Sequence, residues 1–343
     1  MRNALRLYTE CDTQVANPHK RIDVATKKRC TFAISFSTIY FLNNAIHYTM
    51  FFQSHIGEIA ALAVAFCWTG SALFFEKAGR SVGSLSVNVI RIFLAVIFLG
   101  ITLLFTQGYF FPTDATFENW FWLGLSGIIG FFIGDLLLFQ AYVVIGSRTS
   151  QLVMSLAPML TAIIGWFFLS EILSLQSIVG IVVSVSGIII AIASKRLKLN
   201  VPLKGFLFAL GGALGQALGL ILSKKGMGDY DPLAATQIRA IFGFISFFIL
   251  ILYLKRFDKV LLAIKDIQSM KTITIGTIFG PFVGVALSLF AIQHAQTGVA
   301  AALMALAPII IIVPSAIMFK EKVTAQQVIG AIISMGGAAI FFI

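Results

Sequence analysis

Long apolar runs separated by short polar clusters dominate the chain, and the runs are about 20 residues long, the length that crosses the hydrocarbon of a bilayer. From Gly57 ten spans can be drawn, with limits near 57–76, 85–106, 119–143, 148–170, 174–194, 203–223, 233–254, 272–293, 297–319 and 324–343. An open sheet edge cannot satisfy its backbone in lipid, so the spans are expected to be helices. Residues 1–30 are polar and basic, carrying Arg2, Arg6, Lys20, Arg21, Lys27, Lys28 and Arg29, and read as a mobile tail. Residues 31–53 are apolar but interrupted by Asn43, Asn44 and His47, and lack the small-residue cleavage site of a secretory signal. They read either as one extra helix or as a stretch outside the working protein, because Met50 shortly precedes a cleaner start at Gly57.

The same pattern occurs twice. At a fixed offset of 150, residues 130–187 and 280–337 share 14 identities in 58 positions without a gap. These include Gly130/Gly280, Gly134/Gly284, Ala141/Ala291, Glu171/Glu321, Gly180/Gly330 and Gly187/Gly337. At the centre Met154, Leu156, Ala157 and Pro158 match Met304, Leu306, Ala307 and Pro308. Upstream the offset is 148, pairing Gly57 with Gly205, Lys77 with Lys225 and Arg91 with Arg239. A unit of five spans is odd, so the second copy must start from the opposite face. The expected fold is an all-α integral membrane protein, a ten-helix bundle of two inverted five-helix repeats at 57–194 and 203–343, preceded by 1–56. Inverted repeats let two halves rock about a midplane site, which points to transport.

Composition agrees with lipid as the main solvent: 59% of the 343 residues are apolar and 11% charged, against about 25% charged in soluble domains. The net charge of +11 sits between hydrophobic segments and not on a basic stripe, so nucleic acid is not an expected partner. Loops after spans one, three, five, seven and nine carry 14 bases, from Lys77 to Lys322, against Lys224 and Lys225 elsewhere, which makes the first set cytoplasmic by the positive-inside rule. Cys11, Cys30 and Cys67 share no metal-type spacing. No metal and no cofactor is expected.

Several residues are candidates for chemistry. With span one ending at 76, Asp135 is the sole acid deep in a span, where a carboxylate is costly and faces the bundle interior with a partner. Phe139 and Tyr142 follow on its face, and substrate binding or proton coupling competes with a structural pair to Arg91. Pro158 and Pro308 each free the carbonyl four residues back, of Met154 or Met304, so both helices are expected to bend and offer those carbonyls to a ligand or to a neighbour. Trp68, Ser71 and Phe75 share one face of span one. Gln216 and Gln293 place amides in spans six and eight, as cavity groups or helix-to-helix hydrogen bonds. Arg91 and Arg239 lie a few residues inside spans two and seven, as interfacial anchors or as contacts for an anion. Gly211, Gly215 and Gly219 form a small-residue stripe on span six that suits close packing.

At Gly134-Asp135 and the duplicated LAP-x12-E, running from Leu156 to Glu171 and from Leu306 to Glu321, the chain resembles the EamA-type branch of the drug/metabolite transporter superfamily. Trp68, Lys77, Arg91, Gly180 and Gly187 add to the match, which covers about residues 57–343. The resemblance implies a ten-helix carrier, often an exporter of amino acids, other metabolites or drugs, in a bacterial-type plasma membrane. It also implies cytosolic termini, which the loop charges do not. The expected partners are a small-molecule substrate and the lipid bilayer, and a homodimer is compatible with the sequence. The rival classes are a channel, a scaffold and an intramembrane enzyme. A filter of repeated polar residues, a second facing acid, H-E-x-x-H, G-x-S-x-G and a nucleotide-binding loop are all absent from the sequence. Secondary transport is therefore the expectation.

Overall fold

The computed structural model describes residues 55–157, 159–161, 163–164, 175–192, 201–295, 300, 303–320 and 323–342. The basic tail, the 31–53 segment, Pro158, Glu171 and Glu321 lie outside these. Among the described residues the structure is helical throughout, with α1 Ile56–Val82, α2 Ser84–Gln107, α3 Phe117–Ile145, α4 Ser147–Met154, α5 Leu175–Ile192, α6 Leu203–Met227, α7 Pro232–Tyr253, α8 Phe257–Lys265, α9 Ile267–His294, α10 Ala307–Phe319 and α11 Ala325–Phe342. Six of them, α1, α2, α3, α6, α7 and α9, are long and apolar enough to cross a membrane.

Local chemistry sets the helix limits. Asp231 caps α7 by accepting the Ala234 N–H at 2.8 Å, and Pro232 occupies the first turn, where its missing N–H costs nothing. Thr116 and Asn119 form a reciprocal capping box at the start of α3. Gly146, at φ 80°, breaks the chain between α3 and α4, a conformation that a side chain would resist. Two limits differ from expectation. α1 runs six residues past 76, which carries Glu76 into the helix body, and the 255–271 connection holds the short helix α8, whose Val260 and Ala263 are buried while Phe257 and Leu262 are exposed.

Both repeats widen to π-helical pitch at matching places, Gly127–Gly134 in α3 and Ile278–Gly284 in α9, the second containing Pro281. Each widened stretch lies against a helix of the other repeat. α3 runs antiparallel to α6: Asn119 donates to the Gly226 carbonyl, Gly130 faces Gly219, Gly134 faces Gly215, and Ile145 faces Gly205. α9 runs antiparallel to α1 in the same manner, with Gly276 and Gly280 against Phe75, Gly280 also against Ser71, Gly284 against Trp68, and Ala295 against Gly57.

Matching helices of the two repeats also meet. α5 and α11 pack along their length, with Gln176 donating to the Ile340 carbonyl and Gln326 to that of Ile190, two bonds related by the 150-residue offset. α2 packs on α7, Phe93 against Phe244 and the Gln237 amide on the Val96 carbonyl, again antiparallel.

The helix after Met154 turns at Ser155–Leu156, and its counterpart turns at Ala305–Leu306 before Ala307. Helix is thus interrupted just ahead of both proline positions, and Pro308 occupies the first turn of the helix that resumes, where it fits without loss.

A methyl group on Gly215 would stand 2.4 Å from the Gly134 Cα, backbone that cannot swing aside, whereas one on Gly336 meets open space. Gly215→Ala is therefore expected to cost about 1–3 kcal/mol by overpacking. Gly336→Ala is expected to leave the thermal melting of the detergent-solubilised protein unchanged or slightly raised.

Candidate functional site

Where the glycine-rich crossing of α3 and α6 meets α2 and α7, polar side chains gather inside the apolar bundle. Asp135 opens the α-helical part of α3 directly after the π-helical stretch and is 5% exposed. Its Oδ2 accepts from Arg91 Nη2 at 2.5 Å and its Oδ1 from Gln216 Nε2 at 3.0 Å. Asn88, one turn before Arg91 on α2, accepts the Arg91 Nε–H at 2.9 Å and donates to the Asp135 carbonyl at 3.3 Å. Arg91 is thereby held on two edges. Its face lies 4.4 Å from the centre of the Phe139 ring and 5.6 Å from that of Phe75, and those rings touch at 4.9 Å. Tyr142 extends the aromatic wall at 5.3 Å from Phe139, and its hydroxyl accepts from Gln151 on α4 at 3.0 Å.

Arg239 comes from α7, the eighth residue of its helix as Arg91 is of α2, which sets each about 10 Å in from its own helix start. Both arginines are 3% exposed, packed within the bundle. Arg239 lies over the Phe131 ring at 4.6 Å and within Coulombic reach of Asp135.

The structure thus gathers Arg91, Asp135, Phe139, Tyr142 and Gln216, with Arg239 beside them. Trp68 and Ser71 share the α1 face that carries Phe75, but they meet the π-helical stretch of α9 at Gly284 and Gly280. Met154 packs at the rim of the cluster containing Phe139 and Tyr142, while Met304 packs in another, beside Trp68. Pro308 is buried, and the carbonyl of its neighbour Ala307 accepts from Thr69 at 3.4 Å. Gln293 sits half-buried in the last turn of α9, next to His294.

Three partners escaped the sequence reading. Asn88 and Gln151 sit at helical spacing from residues that drew attention, but uncharged amides are common and carry no signal alone. Glu76 is 1% exposed, and its Oε2 accepts the Ser147 N–H at 2.6 Å while it pairs with Arg80. Asp135 is therefore not the sole acid inside a span. Arg80 lies 5.0 Å from the centre of the Phe319 ring, and Ser269 bonds Ser81, so the ends of α1 and α10 and the starts of α4 and α9 meet at one end of the bundle. At the other end Tyr230 donates to Asp114 at 2.9 Å, where burial and that carboxylate push the tyrosine hydroxyl's pKa up.

A bundle of apolar helices long enough to span lipid, with an ion pair and its hydrogen-bonding shell inside, defines a multi-pass membrane protein. The chain belongs to the EamA-like transporter family of the drug/metabolite transporter superfamily: the family's model matches residues 55–193 and again 203–343. Among solved structures 27 chains match. One crystal structure, described only as that of a protein, is 16% identical and has a TM-score of 0.56 over 83% of this chain and 96% of that one, a likeness of fold alone. No curated protein matches.

Removing one member of a buried ion pair strands the other, at a cost of roughly 3–5 kcal/mol. Asp135→Asn and Arg91→Gln are each expected to lower the melting temperature sharply. The double variant Arg91→Met/Asp135→Leu is expected to recover part of the loss, and equal, additive losses in a double-mutant cycle would show that the pair is not the cause.

Proposed function

We propose that this protein is a secondary carrier that exports small metabolites, amino acids or related compounds, or drugs, across a plasma membrane by alternating access. The observation that carries the reading is that matching helices of the two repeats, α2 with α7 and α5 with α11, lie antiparallel. Two copies threaded the same way would place their mates parallel, whereas a flipped copy gives the arrangement seen. A flipped copy also means that whatever conformation one half adopts toward one face, the other half can adopt toward the opposite face.

The ion-pair site lies between the halves, with Arg91 and Asp135 from the first and Gln216 and Arg239 from the second. In the cycle, contacts at one end must release while those at the other hold. Glu76 with Ser147 and Arg80 with Phe319 serve one end; Tyr230 with Asp114 and Asn119 with Gly226 serve the other. The turns at Ser155–Leu156 and Ala305–Leu306 supply places where the fourth helix of each repeat bends. The residues Trp68, Ser71, Met154, Pro158, Gln293, Met304 and Pro308 belong to the walls of this pathway, and Asp135, Phe139, Tyr142 and Gln216 to its centre.

In proteoliposomes, flux of labelled amino acids and toxic metabolites is expected to saturate and to accelerate when unlabelled substrate is placed on the far side; linear flux without exchange would exclude a carrier. Overexpression is expected to raise, and deletion to lower, cellular resistance to the same solutes. Pro308→Ala is expected to slow flux while leaving the unfolding free energy within about 1 kcal/mol of the original, since a first-turn proline contributes little to helix stability.

A further inference from the structure

Duplication gives Arg91 and Arg239 matching positions, and both are 3% exposed, yet their surroundings differ. Arg91 has a carboxylate at 2.5 Å and the Asn88 amide on its Nε. Arg239 has the Phe131 ring against one face, and its Nε is buried with no acceptor. Gly130 lies beside it: a methyl group there would stand 3.4 Å from Nη2, at ordinary contact distance.

The cause is legible in the chain. The second-repeat counterpart of Asp135 is Val285, and that of Asn88 is Thr236, whose hydroxyl is turned onto its own helix at the Pro232 carbonyl, 2.7 Å away. Asp135 is the acid in Coulombic reach of both guanidinium groups, and its two oxygens are taken by Arg91 and Gln216. Among the described residues of this cluster one carboxylate therefore stands against two guanidinium groups, where an uncompensated charge is expensive.

Resting on the carrier reading above, we infer that the transported solute is a small organic monoanion whose carboxylate binds the in-plane edge of Arg239, where Nε lacks an acceptor. A carboxylate fits a guanidinium edge with two parallel hydrogen bonds, and Phe131 offers its carbon skeleton an apolar surface. A monoanion brings the cluster to neutrality. A cation adds to a positive surplus, and a dianion overshoots it.

The test uses the purified full chain in detergent with benzoate as probe and benzamide as its neutral isostere. Benzoate is expected to raise the melting temperature and benzamide to leave it in place. Arg239→Gln is expected to weaken benzoate binding about tenfold or more, the scale of a lost charge-assisted hydrogen bond. Val285→Asp supplies the missing acid from within, so that variant is expected to melt at or above the original temperature and to lose the benzoate response. Equal responses to benzoate and benzamide, or an undiminished benzoate response in Arg239→Gln or in a folded Val285→Asp protein, would overturn the inference. Saturable flux of neutral solutes with no benzoate response leaves the carrier reading standing and removes this one; a benzoate response with no saturable flux overturns the carrier reading and leaves Arg239 an anion-binding site without a transported solute.

Discussion

Everything in the centre of this bundle is arranged around a carboxylate that has no water to fall back on. Asp135 lies where lipid surrounds the helices, and there each of its oxygens must find a donor from the protein. Arg91 and Gln216 supply them, but they belong to different halves of the chain, so satisfying the charge ties the halves together. The ion pair is for that reason a weak source of stability and a strong source of specificity: it costs desolvation, and it admits few other arrangements of α2, α3 and α6.

Bringing those donors within reach requires backbones to approach closely, and the glycines make this possible. Gly134 on α3 meets Gly215 on α6, and Gly219 on α6 meets Gly130 on α3, at separations where a Cβ on Gly215, Gly219 or Gly134 would press on backbone. The π-helical stretch that holds Gly130 and Gly134 ends at Gly134, so the register change falls one residue before Asp135. A π stretch widens the helix and turns the side chains that follow. Its counterpart in α9 ends at Gly284, one residue before Val285. The repeat has kept the turning device in both copies and the acid in one.

Much of the fold was readable from the chain because its cause is periodic. Apolar runs of spanning length fix helices, and the 148- and 150-residue offsets fix which helices correspond. The central pair could be suspected, since Asp135 had few partners available and Arg91 stood at a compatible depth. The π-helical stretches could not be read, because a change of pitch leaves no mark in hydropathy. Nor could the burial of Arg239: eight residues into a helix an arginine can reach outward or stay buried, and its packing against Phe131 is a matter of tertiary contact. Glu76 was misplaced by a boundary, since the polar residues after 76 look like a loop yet continue α1 to Val82. The reading of Asp135 as a solitary acid inherited that error.

Symmetry of backbone with asymmetry of charge has a mechanical consequence. Two strictly identical halves would have equal energies facing either way, and no solute would be needed to choose between them. Here the first half closes its own charges, Arg91 upon Asp135, while the second leaves Arg239 against an aromatic ring. In the alternating-access cycle proposed above, the two facing states would therefore be inequivalent in how they treat that guanidinium. A ligand shifts such a balance only through a difference in its affinity for the two states. Under the carrier reading proposed above, Arg239, whose surroundings differ from those of its twin Arg91, is placed to supply such a difference where the repeat fails to repeat.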